Sequence, residues 1–113
     1  MEYISCMFNN CSSLKKLNLS NFFIYKPIAT DYMFYRCSSI ETLDLSNLHT
    51  RKVENMYSMF CGCNKLKELN LSNLKTSFGV DLQYIFKDCY SLKKVKSSDY
   101  RINSERKNLC LIC

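Results

Sequence analysis

The stretch MFCGCNKLKELNLSNL, residues 59–74, decides the fold because its pattern recurs along residues 1–96. An apolar residue followed by phenylalanine returns at a fixed step, at Met7-Phe8, Met33-Phe34, Met59-Phe60 and Ile85-Phe86. A cysteine follows each pair, and 37 − 11 = 63 − 37 = 89 − 63 = 26 gives the spacing. The repeating unit is MFxxCxxLxxLxLSN followed by phenylalanine or leucine. Such a fixed period indicates a solenoid, in which each unit buries its apolar side against the next unit.

The two halves of the unit predict different secondary structure. The half L-x-x-L-x-L ends in alternation, which is typical of a short strand with one buried face. In the first copy Leu17 and Leu19 point inward, while Lys16 and Asn18 point outward. The other half has apolar residues at helical intervals, in the third copy Val53, Met56, Met59, Phe60 and Cys63. We therefore expect an α/β leucine-rich-repeat solenoid of about four coils, with one short parallel strand and one short helix in each.

The solenoid is expected to span residues 1–96, with incomplete first and last coils. Residues 1–4 align with the middle of a coil, and no polar cap precedes them, so we expect association through this uncapped N-terminal coil. At the other end Ser97 stands where the repeat requires leucine. Residues 97–113 are polar and basic, and they are predicted to form a flexible tail outside the repeat.

The repeat resembles the leucine-rich repeats of BspA-like surface proteins, a family of oral bacteria, mycoplasmas and parasitic protists. The resemblance covers residues 1–96 and departs from the standard leucine-rich repeat in coil length and in the place of Asn21, Asn47 and Asn73. It implies a non-catalytic surface that binds a protein ligand, with a role in adhesion to host proteins or cells.

The repeated cysteines Cys11, Cys37, Cys63 and Cys89 could be metal ligands, disulfide partners or buried packing residues. A disulfide needs Cβ atoms about 3.8 Å apart, whereas stacked strands lie about 4.8 Å apart. Zinc needs four ligands that converge on one point, whereas equivalent cysteines of stacked coils lie along a line. The sequence therefore favours a structural ladder of buried free thiols. Cys6 and Cys61 lie off this ladder.

No set of residues indicates catalysis. The chain has a single histidine, His49, which we place in a surface loop, and it has neither a glycine-rich phosphate loop nor carboxylates at a defined spacing. We expect no enzyme activity, no metal and no cofactor. The net charge of +6 favours anionic partners only weakly. Nucleic-acid binding is not expected, since it would need basic residues interleaved with aromatic ones.

The outward positions of the predicted strands form the candidate binding face. This polar row of mixed charge consists of Lys16, Asn18, Thr42, Asp44, Glu68, Asn70, Lys94 and Lys96. It contains no aromatic anchor of the kind that dominates many interfaces. A plain solvated face therefore stays open as an alternative to a ligand site.

The last four residues, Cys110-Leu111-Ile112-Cys113, fit a C-a-a-X box for prenylation of Cys110. Cys113 is a less usual final residue, which leaves the isoprenoid open. A basic cluster supplies the second signal that one lipid chain needs for stable anchoring: Lys93, Lys94, Lys96, Arg101, Arg106 and Lys107. One alternative is that residues 109–113 cap the last coil. Another is a metal or thiol redox pair of Cys110 and Cys113, although redox C-x-x-C motifs usually open a helix after a strand.

Together these features predict an interaction or adhesion module that is membrane-associated through a prenyl group and the basic tail, at the plasma membrane, on its cytoplasmic face or at the surface. The alternative is a soluble cytoplasmic scaffold whose tail covers the solenoid. We expect no bilayer-spanning segment, because no run of about 18 apolar residues occurs. No secretory signal peptide is visible in the first residues, so presentation at the surface would need an unconventional route.

Overall fold

The computed structural model describes residues 2–19, 24–25, 27–49 and 53–110, and this part contains short strands and one helix. The elements are β1 (Glu2–Tyr3), β2 (Ile24–Tyr25), β3 (Pro27–Ala29), β4 (Thr42–Asp44), β5 (Leu48–His49), β6 (Val53–Asn55), β7 (Glu68–Asn70), β8 (Thr76–Asp81), β9 (Lys94–Lys96) and α1 (Tyr100–Cys110). The strands pair in parallel as three sheets, in the orders β1-β3-β6-β8, β2-β5 and β4-β7-β9.

The sheet β4-β7-β9 is built from the L-x-x-L-x-L half of the unit and keeps the 26-residue step. Its paired positions are Thr42–Glu68–Lys94, Leu43–Leu69–Val95 and Asp44–Asn70–Lys96. The central residue of each strand is buried, while its two neighbours face away from the core, as the alternation predicts. The 26-residue spacing therefore fixes which side chains lie beside one another on this sheet.

The other half of the unit is not helical in the described residues, so the prediction of one helix per coil is wrong. Residues 53–55 form β6 in the sheet β1-β3-β6-β8, and residues 56–63 form consecutive turns. Val53, Met56 and Met59 are all fully buried. The apolar spacing is thus real, but it reflects a strand followed by turns, and this sheet was not predicted.

Backbone hydrogen bonding explains why no helix forms there. We call residues 4–11, 30–37, 56–63 and 82–89 the four turn segments. In the third, the N–H groups of Met59 and Cys61 donate to carbonyls three residues back, both at 3.2 Å. Those of Ser58 and Phe60 instead donate to the next turn segment, at 2.9 and 3.1 Å. A helix would keep all these N–H groups within one segment, so stacking of segments replaces it.

Two positions of every turn segment have a left-handed backbone. They are Cys6, Tyr32, Ser58 and Tyr84, and four residues later Asn10, Arg36, Gly62 and Asp88. This conformation costs an L-residue about 1–2 kcal/mol. At Gly62 the backbone also leaves no room for a side chain, because an added Cβ would lie 2.9 Å from Cγ of Arg36. The side chain of Arg36 therefore lies where only glycine leaves room.

Phenylalanine rings stack along the interior. Phe8 and Phe34 have ring centroids 5.2 Å apart, Phe34 and Phe60 5.8 Å, and Phe60 and Phe86 6.0 Å, with interplanar angles of 12°, 7° and 16°. Nearly parallel rings at these distances are a favourable aromatic geometry. The stack joins all four turn segments in one hydrophobic core.

The tail is helical over Tyr100–Cys110, whereas the sequence predicts a flexible segment. Asp99 begins the helix, because its Oδ1 accepts the N–H of Arg101 at 2.9 Å. Its Oδ2 accepts the N–H and the hydroxyl of Thr76, at 2.8 and 2.7 Å. Ile102 is fully buried in the core. A polar sequence is thus held in place by one carboxylate and one apolar side chain.

Candidate functional site

The predicted binding face coincides with the outer surface of the sheet β4-β7-β9. Parallel pairing arranges six of its side chains in two straight rows, Thr42–Glu68–Lys94 and Asp44–Asn70–Lys96. All six are exposed except Asn70, which is half-buried. The structure therefore brings together residues that lie 26 positions apart in the sequence.

Lys16 and Asn18 lie at the margin of this face. Both are exposed, and they belong to an irregular segment rather than to a strand. Together with Thr42 and Asp44 they line a depression of about 320 Å³. A second depression, of about 250 Å³, crosses β4, β7 and β9. The face is therefore a shallow surface with two open depressions.

Hydrogen bonds fix two of the side chains on the face. Asp44 Oδ1 accepts the N–H of Ser46 at 2.9 Å, and Asn70 Oδ1 accepts that of Ser72 at 3.0 Å. The pKa of Asp44 is lowered by its hydrogen bonds with Ser46, and the nearby charge of Lys96 acts in the same direction. Asp44 is thus held as an anion beside a lysine, in a surface of mixed charge.

The SN dipeptide of the repeat has a structural role that sequence reasoning missed. Asn47 Nδ2 donates to the carbonyl of Leu19 at 3.2 Å, and Asn73 Nδ2 donates to the carbonyl of Ser46. Each asparagine thereby ties its own unit to the preceding one. The signal was the invariant position of asparagine in the copies, since an amide can satisfy a backbone group at the end of a strand.

The repeated cysteines form a line inside the molecule. Cys37, Cys63 and Cys89 are buried, whereas Cys11 in the first turn segment is half-buried. The three buried thiols donate to the carbonyls of Phe8, Phe34 and Phe60, at 3.1, 3.1 and 3.0 Å. Cys6, Cys11, Cys37, Cys61, Cys63 and Cys89 are all free thiols. Each buried cysteine thus links its segment to the one before through an S–H···O contact.

The three buried thiols are held in the unreactive, protonated form. Burial raises the pKa of Cys37 to about 11 and that of Cys89 to about 12, and it raises the pKa of Cys63 as well. A cysteine reacts as the thiolate, so the buried thiols serve packing rather than nucleophilic or redox chemistry. Among residues 2–19, 24–25, 27–49 and 53–110, no three His, Cys, Asp or Glu residues converge as metal ligands.

A group of exposed aromatic side chains at the last repeat was not found from the sequence. Phe78 is 93% exposed, Tyr90 77%, Tyr100 67% and Tyr84 49%. The guanidinium of Arg101 lies over the rings of Tyr100 and Phe78, at 4.7 and 5.8 Å from their centroids. Aromatic and arginine side chains are enriched among interface hot spots. These rings lie outside the fixed phenylalanine position of the repeat, so departure from the repeat was the available signal.

The remaining predicted residues lie at or beyond the limits of the described structure. His49 is in β5 rather than in a loop, and its side chain is not among those described. Cys110 is the last residue of α1, and its side chain is likewise not described, while residues 111–113 lie outside the described part. Within that part, no helix has the length and apolar character required to cross a bilayer.

The polar sheet face, the buried thiols and most of α1 fall within one matched region. No curated protein and no solved structure matches the chain. The family model described as "Mycoplasma protein of unknown function, DUF285" matches residues 2–108, from β1 into α1. The chain therefore belongs to the DUF285 family.

Proposed function

We propose that the chain is a non-catalytic protein-interaction or adhesion module of the BspA-like leucine-rich-repeat type, built as a solenoid of about four coils. One observation carries the proposal: two rows of polar side chains repeat across three parallel strands with the 26-residue step. Solenoids commonly present such repeated surfaces to protein ligands. The sequence resemblance to BspA-like repeats supports the same interpretation.

The burial of the reactive groups supports a binding role over a chemical one. The thiols of Cys37, Cys63 and Cys89 lie in the core and stay protonated. The ladders of cysteine and asparagine side chains bond to backbone carbonyls of neighbouring units. These residues therefore serve to hold the units in register, which leaves the outer rows free to contact a partner.

A second candidate is the soluble scaffold whose tail covers the last repeat. It is favoured by the packing of α1, since Ile102 is fully buried and Arg106 Nη2 donates to the carbonyl of Lys93 at 3.1 Å. Both candidates share the binding face and differ in membrane attachment. Prenylation of Cys110, and with it the membrane-associated location, stays a prediction from the sequence.

Photo-cross-linking from matched positions tests the binding face. A benzoyl-phenylalanine side chain is introduced at Glu68, in the middle of the face on β7, and at Glu54, an equally exposed glutamate on β6. Each variant is irradiated with a cell-surface protein extract. We expect a discrete protein adduct from position 68 and none from position 54. Indistinguishable adduct patterns from the two positions would contradict the proposal.

A charge reversal then measures the contribution of the face to affinity for the cross-linked protein in purified form. Lys94 and Lys96 stand at the ends of the two rows, so Lys94→Glu with Lys96→Glu should weaken binding at least about tenfold, the effect of losing about 1.4 kcal/mol. Lys87→Glu is the matched control, because this exposed lysine lies on the fourth turn segment, away from the face. An equal loss in the control would refute a localised site.

A further inference from the structure

The backbone hydrogen bonds between turn segments all run in one direction along the molecule. Four N–H groups of each of the first three segments donate to carbonyls of the next segment or of the strand residue just before it. The donors of the first three segments are residues 4, 6, 8 and 10, then 30, 32, 34 and 36, then 56, 58, 60 and 62. Their acceptors are residues 29, 31, 33 and 35, then 55, 57, 59 and 61, then 81, 83, 85 and 87. The stack therefore has a donor end and an acceptor end.

The two ends carry complementary rows of backbone groups. At the first segment the carbonyls equivalent to these acceptors are those of Tyr3, Ser5, Met7 and Asn9. At the fourth segment the equivalent donors are the N–H groups of Leu82, Tyr84, Phe86 and Asp88. Neither row has a hydrogen-bond partner among the residues that the structure describes. Unpaired rows of this kind are templates for pairing with another chain.

The side chains at the first segment are also open. Met7 is 42% exposed, whereas its counterparts Met33, Met59 and Ile85 are at most 1% exposed. Phe8 is half-buried, with one ring face on Phe34. An apolar surface bordered by unpaired carbonyls thus lies at the acceptor end, and it has the shape of the surface that each turn segment offers to the one before it.

The fourth segment has the same side-chain pattern, but it is covered. Phe86 is only 3% exposed although no further repeat follows it, and Ile102 of α1 is buried in the same core cluster. The helix is fixed by Asp99, which binds Thr76, and by Arg106 on Lys93. An open surface depression of about 640 Å³ lies between residues 79–84 and α1. Helix α1 therefore shields the donor end at its apolar centre.

From this polarity we propose that the acceptor end of one copy fits the donor end of a second copy, and that α1 blocks the contact. Two acceptor ends cannot pair with one another, so the occupant is a second copy placed head to tail. Its Met7 would lie on Ile85 and its Phe8 on Phe86, which continues the 26-residue step between molecules. A head-to-tail contact leaves one donor end and one acceptor end free, so stacking that continues the 26-residue step produces open chains of molecules. This inference is independent of the ligand bound by the sheet face.

Sedimentation velocity over a range of concentrations tests the inference. Ile102→Asp places a carboxylate in the core contact of α1, and Ser104→Asp adds the same group on the exposed side of that helix as a control. We expect the unchanged chain and Ser104→Asp to sediment as monomers. Ile102→Asp should show a sedimentation coefficient that rises with concentration. Adding Met7→Glu to Ile102→Asp should return the monomer value, because the acceptor end is then charged.

Two results would overturn the inference. One is a folded Ile102→Asp variant that stays monomeric over the whole concentration range. The other is association of Ile102→Asp that persists unchanged with Met7→Glu, which would indicate nonspecific aggregation. If far-UV circular dichroism shows that Ile102→Asp is unfolded, Asp99→Ala takes its place. It removes the acceptor of the N–H groups of Arg101 and Thr76, which weakens the start of α1 without changing an apolar core residue. It is measured with and without Met7→Glu by the same criteria.

Discussion

Replacing Phe60 by alanine should destabilise the protein far more than the same change at Phe8, because one ring is central in the stack and the other is terminal. Phe60 is fully buried and has ring neighbours on both faces, at 5.8 and 6.0 Å. Loss of a core phenylalanine costs about 3–5 kcal/mol, and each stacked pair adds about 0.5–1.5 kcal/mol. We therefore expect Phe60→Ala to lower the free energy of unfolding by about 5 kcal/mol.

Phe8 has one ring neighbour, at 5.2 Å, and is half-buried. With about half the ring buried and one stacked ring pair, Phe8→Ala should lower the free energy of unfolding by about 2 kcal/mol. Urea unfolding followed by far-UV circular dichroism and tyrosine fluorescence measures both values, since the chain has eight tyrosines and no tryptophan. Coincident transitions justify a single free energy of unfolding.

Equal losses for the two variants, within about 0.5 kcal/mol, would refute the stack, because position along it would then have no energetic consequence. Phe60→Leu and Phe8→Leu provide the same comparison at a smaller scale if Phe60→Ala does not fold. The expected order is unchanged, since leucine keeps much of the apolar area but cannot stack.

Four further predictions concern individual residues. Gly62→Ala should cost about 2 kcal/mol or more in urea unfolding, because φ is positive there and the added Cβ would lie 2.9 Å from Cγ of Arg36; a cost below about 0.5 kcal/mol would argue against this backbone. Alkylation mapped by mass spectrometry at neutral pH should label exposed Cys6 in the folded protein and Cys89 only after unfolding. Burial raises the pKa of Cys89 from 9.0 to about 12. The part of the free energy of unfolding that depends on its protonated thiol is therefore complete below pH 9 and is lost as pH rises from 9 toward 12. A urea midpoint independent of pH above 9 in the wild type would contradict this. If Cys110 is prenylated in a eukaryotic cell, Cys110→Ser should move the protein from the membrane to the soluble fraction, and identical partitioning would exclude the lipid anchor.

The 26-residue period was sufficient to predict the pairing of β4, β7 and β9 and the six polar side chains that these strands expose. It pairs Thr42 with Glu68 and Glu68 with Lys94, because alternation and a fixed step together determine which side chains are neighbours. The same reasoning placed Leu43 inside. These features follow from periodicity alone, which is the most reliable signal that a sequence carries.

The turn segments could not be predicted, because apolar spacing does not distinguish a helix from successive turns. Met56, Met59 and Phe60 fit helical intervals, yet their N–H groups are shared between their own segment and the next. The left-handed backbone at Tyr32, Ser58 and Tyr84 is equally hidden, since these residue types seldom adopt it. Stacking between segments overrides local preference.

The sequence did contain a local indication of helix α1, but the polar, charged composition of the tail pointed to a flexible segment instead. Asp99 is a favoured residue at a helix start, and Ile102 lies three residues beyond it, where the first turn meets the core. The high charge of the tail suggested a solvated segment. One buried isoleucine and the bonds from Thr76 to Asp99 suffice to order it, and their partners lie elsewhere in the chain.

Hydrogen exchange of individual backbone amides, measured by NMR on the whole chain, tests the stacked architecture most directly. The N–H groups of Ser58, Phe60 and Gly62 donate to the next turn segment, whereas their counterparts Tyr84, Phe86 and Asp88 have no partner among the described residues. Slow exchange in the first set and exchange faster by at least about tenfold in the second is the expected result. Rapid exchange at Ser58, Phe60 and Gly62 would contradict the stack on which the binding face depends.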